Sequence, residues 1–229
     1  MVEKISDTPR EPIGIGNEKR VFMHDVDPKR VVAEYREKLT NEEIKGVYYF
    51  TKLIHLLFPD NYPDIFKAGN TKIAHTATFE AQNIDRDEIL TKLSLHAVQD
   101  EAYLMGADTI SNFSDETHSD IEHLENIRTT DERVQALIYD LRTLGIPVDS
   151  HNAGNFSIRP DDTVVYLDIQ QPFVIDDGEV KLRFNTNAMY HAVAALPEDS
   201  QKQADAYLSR LMELYEDLKK RTEHIHPLQ

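Results

Sequence analysis

The chain has 229 residues, enough for one large domain or two small lobes with a real hydrophobic core. It carries a formal net charge of −16, spread along its length, which argues against a sequence-independent nucleic-acid binder or a partner of anionic membranes, because both need basic surface. Cysteine is absent, so disulfides, thiolate metal sites and cysteine nucleophiles are excluded.

The N-terminal residues 1–11 read as a polar tail with no apolar core of a secretory signal. No run approaches the length of a membrane span. With no cysteine and no leader, the expectation is a cytoplasmic protein.

Residues 12–82 read as a sheet with one inserted helix. Short β-branched runs at Ile13–Gly16, Arg20–Met23 and Arg30–Tyr35, separated by Gly, Asp and Pro, predict an antiparallel meander. Thr40 and Glu43 form a capping-box signature, and apolar residues from Ile44 to Phe58 recur at helical spacing. Pro59 to Pro63 stops that helix. Two further strands, near 65–68 and 72–79, are expected around a turn at Gly69-Asn70.

Residues 83–229 read as mainly helical. Helical periodicity covers 86–106, and 107–128 is polar. Thr129 with Glu132 predicts a capped helix closed by Gly145 and Pro147. A strand, a turn at Pro160-Asp161 and a second strand lie within 148–168. Residues 173–184 predict a hairpin around Asp176-Asp177-Gly178. Helices near 187–195 and 199–222 end the chain, with His191 expected to pack.

The segment 148–168 carries the chemistry. Asn155 closes a polar loop, and Asp168 follows thirteen positions later, at the end of the second strand. Upstream, Gly14-Ile15-Gly16-Asn17-Glu18-Lys19-Arg20-Val21 has two of three glycines of a GxGxxGxV loop, with Lys19 at the third position. Taken alone, each residue also fits a turn or a strand end.

Together these features resemble the kinase-like phosphotransferases, in particular the aminoglycoside-phosphotransferase and small bacterial kinase-like branches. The resemblance implies an α+β, bilobal kinase-like fold: an N-terminal antiparallel sheet with one helix over 12–82, and a mainly helical C-terminal lobe over 83–229 with a truncated end. It implies Mg2+ and ATP as cofactors, with Asn155 and Asp168 as metal ligands and Gly14, Gly16 and Lys19 at the phosphates.

The departures are equally specific. Where the family pattern HxDxxxxN has its His and catalytic Asp, this chain has Val148 and Ser150, leaving Asp149 or His151 as the candidate base. The third-strand lysine falls at Ala33, the following helix has no mid-helix Glu, and Gln170 stands where a small residue follows the acid. The expected function is a divergent kinase-like protein that binds Mg-nucleotide and transfers phosphoryl to a small-molecule or protein acceptor. The alternative is a catalytically inactive kinase-like interaction or scaffold module. A cluster of acids and histidines over 115–123 fits no defined metal spacing and reads as a solvated acidic linker.

Overall fold

The computed structural model describes residues 11–15, 19–36, 38–70, 77–82, 131–149, 155–159, 161–176 and 178–225. The expected polar tail, the helix over 86–106, the acidic segment 115–123, Gly16 and His151 lie outside the described residues.

Among the described residues the chain is a mixed α/β structure with an N-terminal antiparallel sheet and four helices. The sheet has five strands: β1 (Gly14–Ile15), β2 (Lys19–Met23), β3 (Arg30–Tyr35), β4 (Ile65–Asn70) and β5 (Ala77–Gln82). Their spatial order is β1-β2-β3-β5-β4, all neighbours antiparallel. The expected turn at Gly69-Asn70 is corrected: both residues belong to β4, where Gly69 pairs Thr78 and Asn70 pairs Ala77. The inward set of β5 is Ala77, Phe79 and Ala81, and two alanines make a weak alternating signal; the strand runs on to Gln82, past the expected end at 79, while residues 72–76 lie outside the described residues.

Helix α1 (Asn41–Leu57) joins β3 to β4. Thr40 caps it as expected: its hydroxyl accepts from the Glu43 N–H at 3.2 Å, while the Glu43 carboxylate accepts from the Thr40 N–H at 2.7 Å. The helix serves two cores. Ile44 and Val47 pack with Phe79, Ile65 and Tyr35 under the sheet. Phe50, Leu53 and Ile54 pack into a second cluster with the C-terminal elements. Each fully buried side chain of this size contributes about 1.5–3 kcal/mol relative to exposure.

The second cluster is built from α2 (Glu132–Thr143), the ladder β6 (Phe156–Ile158) with β7 (Val164–Tyr166), the hairpin β8 (Phe173–Asp176) with β9 (Glu179–Leu182), and helices α3 (Thr186–Ala194) and α4 (Glu198–Ile225). The cap of α2 is Asp131, whose carboxylate accepts from the Arg133 N–H, in place of the expected Thr129. The α2 end is closed by Gly145 at φ +74°, a conformation that favours glycine. The next helix docks there, with the Asn185 N–H donating to the Leu144 carbonyl at 2.7 Å. His191, expected to pack, is exposed.

Two contacts join the turn after α1 to the second cluster. The Tyr166 N–H donates to the Asn61 carbonyl and the Asn61 side chain donates to the Val164 carbonyl, both at 2.8 Å. The segment after α1 therefore runs along β7 and fixes that strand against the N-terminal half; β7 ends at Tyr166, so Asp168 lies two residues beyond it rather than at the strand end expected. No helix among the described residues is long and apolar enough to cross a membrane.

Candidate functional site

Alternation along the strands decides what faces the inner side of the sheet. Lys19 and Val21 of β2, Val31 and Ala33 of β3, and Ala81 of β5 line one cleft, whose opposite wall is Leu167 and Ile169. Its empty space is about 510 Å³, counting the mouth open to solvent.

Lys19 crosses this cleft. Its ammonium donates to Asp168 Oδ1 at 2.5 Å and to the Ile169 carbonyl at 3.3 Å, and it lies 5.9 Å from the Tyr35 ring centre. The pair joins residues 149 positions apart. Register sets Lys19 beside Ala33 of the third strand. Val21 pairs Ala33 and Lys19 pairs Tyr35, so Lys19 is the diagonal neighbour of Ala33. Diagonal Cβ atoms lie about 7–8 Å apart, within the span of a lysine side chain. Ala33, with only a methyl group, leaves that space open.

The acid sits on a dense polar support. The Tyr62 hydroxyl donates to the Asp168 carbonyl at 2.9 Å, and the Tyr35 hydroxyl donates to the Ile169 carbonyl at 2.8 Å. The fully buried Tyr166 hydroxyl accepts from the Asp149 N–H at 3.0 Å and from the Gln170 amide at 2.9 Å, and points at Asp168 Oδ2, 3.5 Å away. Burial first, and then the Asp168 charge, push the Tyr62 and Tyr166 hydroxyls well above the ordinary tyrosine range. Both therefore stay protonated and remain donors.

Of the other expected residues, Asn155 and Asp149 lie at the Asp168 end of the β6–β7 ladder. Phe156 pairs Tyr166, and the Leu167 N–H donates to the Asn155 carbonyl at 2.7 Å, so Asn155 lies beside the residue that precedes Asp168. The Asn155 amide nitrogen donates to the Asp149 carboxylate at 3.0 Å and to the Asp149 carbonyl at 3.3 Å. Val148, where the family pattern has histidine, is buried in the second core cluster. Of the expected glycines, Gly14 belongs to β1, opposite Val21.

Asn155 and Asp168 offer oxygen atoms of the kind hard cations bind. Asn155 turns its nitrogen to Asp149, and among the described residues nothing donates to its amide oxygen. That oxygen and the Asp168 carboxylate are the ligand types magnesium prefers. Among the described residues no group of three or more His, Cys, Asp or Glu could hold a metal. Nucleotide-linked magnesium sites characteristically use one or two carboxylates, with phosphates and water completing the shell.

No protein family and no curated protein matches the chain. Among solved structures, it is similar to the GDP and kanamycin complex of APH(2")-IIia, an aminoglycoside phosphotransferase. The two chains are 12% identical, the alignment covers 98% of this chain and 93% of that one, and the TM-score is 0.34.

Tyr62, Tyr166 and Gln170 were not singled out from the sequence as site residues. Both tyrosines look like core aromatics, and only the chain's return past Asp168 gives their hydroxyls a task.

Proposed function

We propose that this chain is a divergent kinase-like protein whose sheet and C-terminal half form two lobes, with Mg-nucleotide bound in the cleft between them. The Lys19–Asp168 ion pair is the observation that carries this reading. It sets a cation from the second strand against the candidate metal-binding acid, beside a third strand whose Ala33 carries no charge. The apolar walls from Val21, Ala33, Leu167 and Ile169 suit a nucleobase.

In this reading Lys19 would turn from Asp168 to the nucleotide phosphates, and Asn155 and Asp168 would hold magnesium. Magnesium supplies neutralisation of the charge on the transferring phosphoryl oxygens. Asp149, held by the Asn155 amide, takes the proton of an acceptor hydroxyl. The acceptor oxygen bonds to the γ-phosphorus, the β–γ bridging P–O bond breaks, and ADP leaves. Asp149 is preferred to His151 because its carboxylate is tied to a proposed metal ligand. The inactive-module reading is favoured by the buried Val148, which removes the family's loop histidine.

The test is thermal unfolding of the full chain with and without Mg·ATP, followed by turnover assays with hydroxyl acceptors. Ligand at one hundred times its dissociation constant adds about 2.7 kcal/mol of stability. Lys19→Met and Asp168→Ala should abolish the shift. Turnover that Asp149→Asn abolishes establishes the enzyme reading; binding without turnover establishes the module. Absence of a shift with Mg·ATP and with Mg·GTP refutes the nucleotide-binding reading and leaves an interaction or scaffold module.

A further inference from the structure

We infer that Gln170 is a positioning residue, which holds the Asp168 carboxylate in place for the cation. The inference rests on the Mg-nucleotide reading and deepens it. Position 170 is where the resembled pattern carries a small residue, so a long amide there needs a reason of its own.

The Gln170 side chain is 8% exposed, and a buried amide is costly unless it is hydrogen-bonded. Its nitrogen donates to the Pro147 carbonyl and to the Tyr166 hydroxyl, and lies 3.5 Å from Asp168 Oδ2. Two hydrogens thus serve three acceptors. Its oxygen is buried and has no partner among the described residues. The orientation follows from the surroundings: a carbonyl, a phenolic oxygen and a carboxylate all face the nitrogen, and turning the amide over would set oxygen against oxygen. An amide kept with one end unsatisfied is kept for the other end.

That end links the segment entering Asp149, through Pro147, to the acid itself. Lys19 bonds Asp168 at Oδ1, while the Gln170 amide and the Tyr166 hydroxyl flank Oδ2 at 3.5 Å each, the long end of a hydrogen bond. When Lys19 turns to a phosphate, the Oδ2 side still fixes the carboxylate. Partners of metal ligands commonly act in this way, and losing one costs 10–100-fold in metal affinity.

The experiment measures ADP affinity of the full chain by calorimetry, without divalent metal and with saturating Mg2+, and takes the ratio as the metal-dependent gain. Gln170→Met keeps the length and loses the donors; Gln170→Glu keeps the shape and replaces donors by acceptors. Both should lower the gain about tenfold or more while the metal-free affinity stays the same. If either variant fails to fold, Gln170→Gly carries the same expectation. Full retention of the gain overturns the inference, as does an equal loss of metal-free and metal-bound affinity, which marks a structural role only. A wild-type chain that binds ADP with no metal-dependent gain overturns this inference alone; one that binds no nucleotide overturns the reading beneath it.

Discussion

Removing the Tyr166 hydroxyl tests whether the polar support under Asp168 is real. Tyr166→Phe keeps the ring, its buried packing and its contacts with Phe156 and Tyr62. It takes away the acceptor of the Asp149 N–H and of the Gln170 amide. Leaving a buried donor short of its acceptor costs about 1–3 kcal/mol. Gln170 retains its bond to Pro147, so its share lies at the lower end, and the total is about 2–3 kcal/mol. Tyr62→Phe is the control. It loses one bond to the Asp168 carbonyl, at 2.9 Å, and should cost about 1 kcal/mol. In a chain of this size 1 kcal/mol moves Tm by about 2–4 °C. The expected drops are therefore about 4–12 °C for Tyr166→Phe and about 2–4 °C for Tyr62→Phe. Urea unfolding followed by circular dichroism gives the free energies, and the double variant should depart from additivity because both hydroxyls act on Asp168. Equal costs for the two single variants, or a Tyr166→Phe cost below about 0.5 kcal/mol, would refute the support.

The same hydroxyls set a pH limit. Their folded pKa values are raised, so their contribution is complete below the unfolded value of about 10 and is lost as pH rises beyond it. Stability measured from pH 9 to 11 should fall on the alkaline side, and less steeply in the Tyr62→Phe/Tyr166→Phe double variant; an unchanged slope contradicts the assignment. Gly145→Ala should destabilise by about 2–4 kcal/mol, because an added Cβ would lie 2.5 Å from the Asn185 backbone nitrogen at a φ of +74°. Gly46→Ala should cost less, about 1 kcal/mol: its Cβ would meet the Phe173 ring at 2.6 Å, and the alanine regains helix propensity. Urea midpoints rank the two, and the reverse order would count against the packing described.

How much the sequence revealed depended on distance along the chain. The Thr40–Glu43 box, the meander and the β6–β7 ladder are local patterns, and each forms where its residues predict. The cap of α2 is Asp131, because an aspartate two residues before Arg133 can bond its backbone and pair its guanidinium together. What stayed hidden was long-range. Ala33 reads as a lost lysine until the β2–β3 register makes Lys19 its diagonal neighbour. Gln170 reads as a mere departure until Pro147, Tyr166 and Asp168 surround its amide. The pairing of Asn155 with Asp149 was also invisible, since loop residues six apart have no fixed geometry.

The most direct measurement is anomalous scattering from Mn2+ in crystals of the chain grown with a non-hydrolysable ATP analogue. The account predicts one peak about 2.1 Å from the Asn155 amide oxygen and from an Asp168 carboxylate oxygen, with the Lys19 ammonium moved onto a phosphate. A cleft without nucleotide, or a manganese bound away from those two side chains, would contradict it.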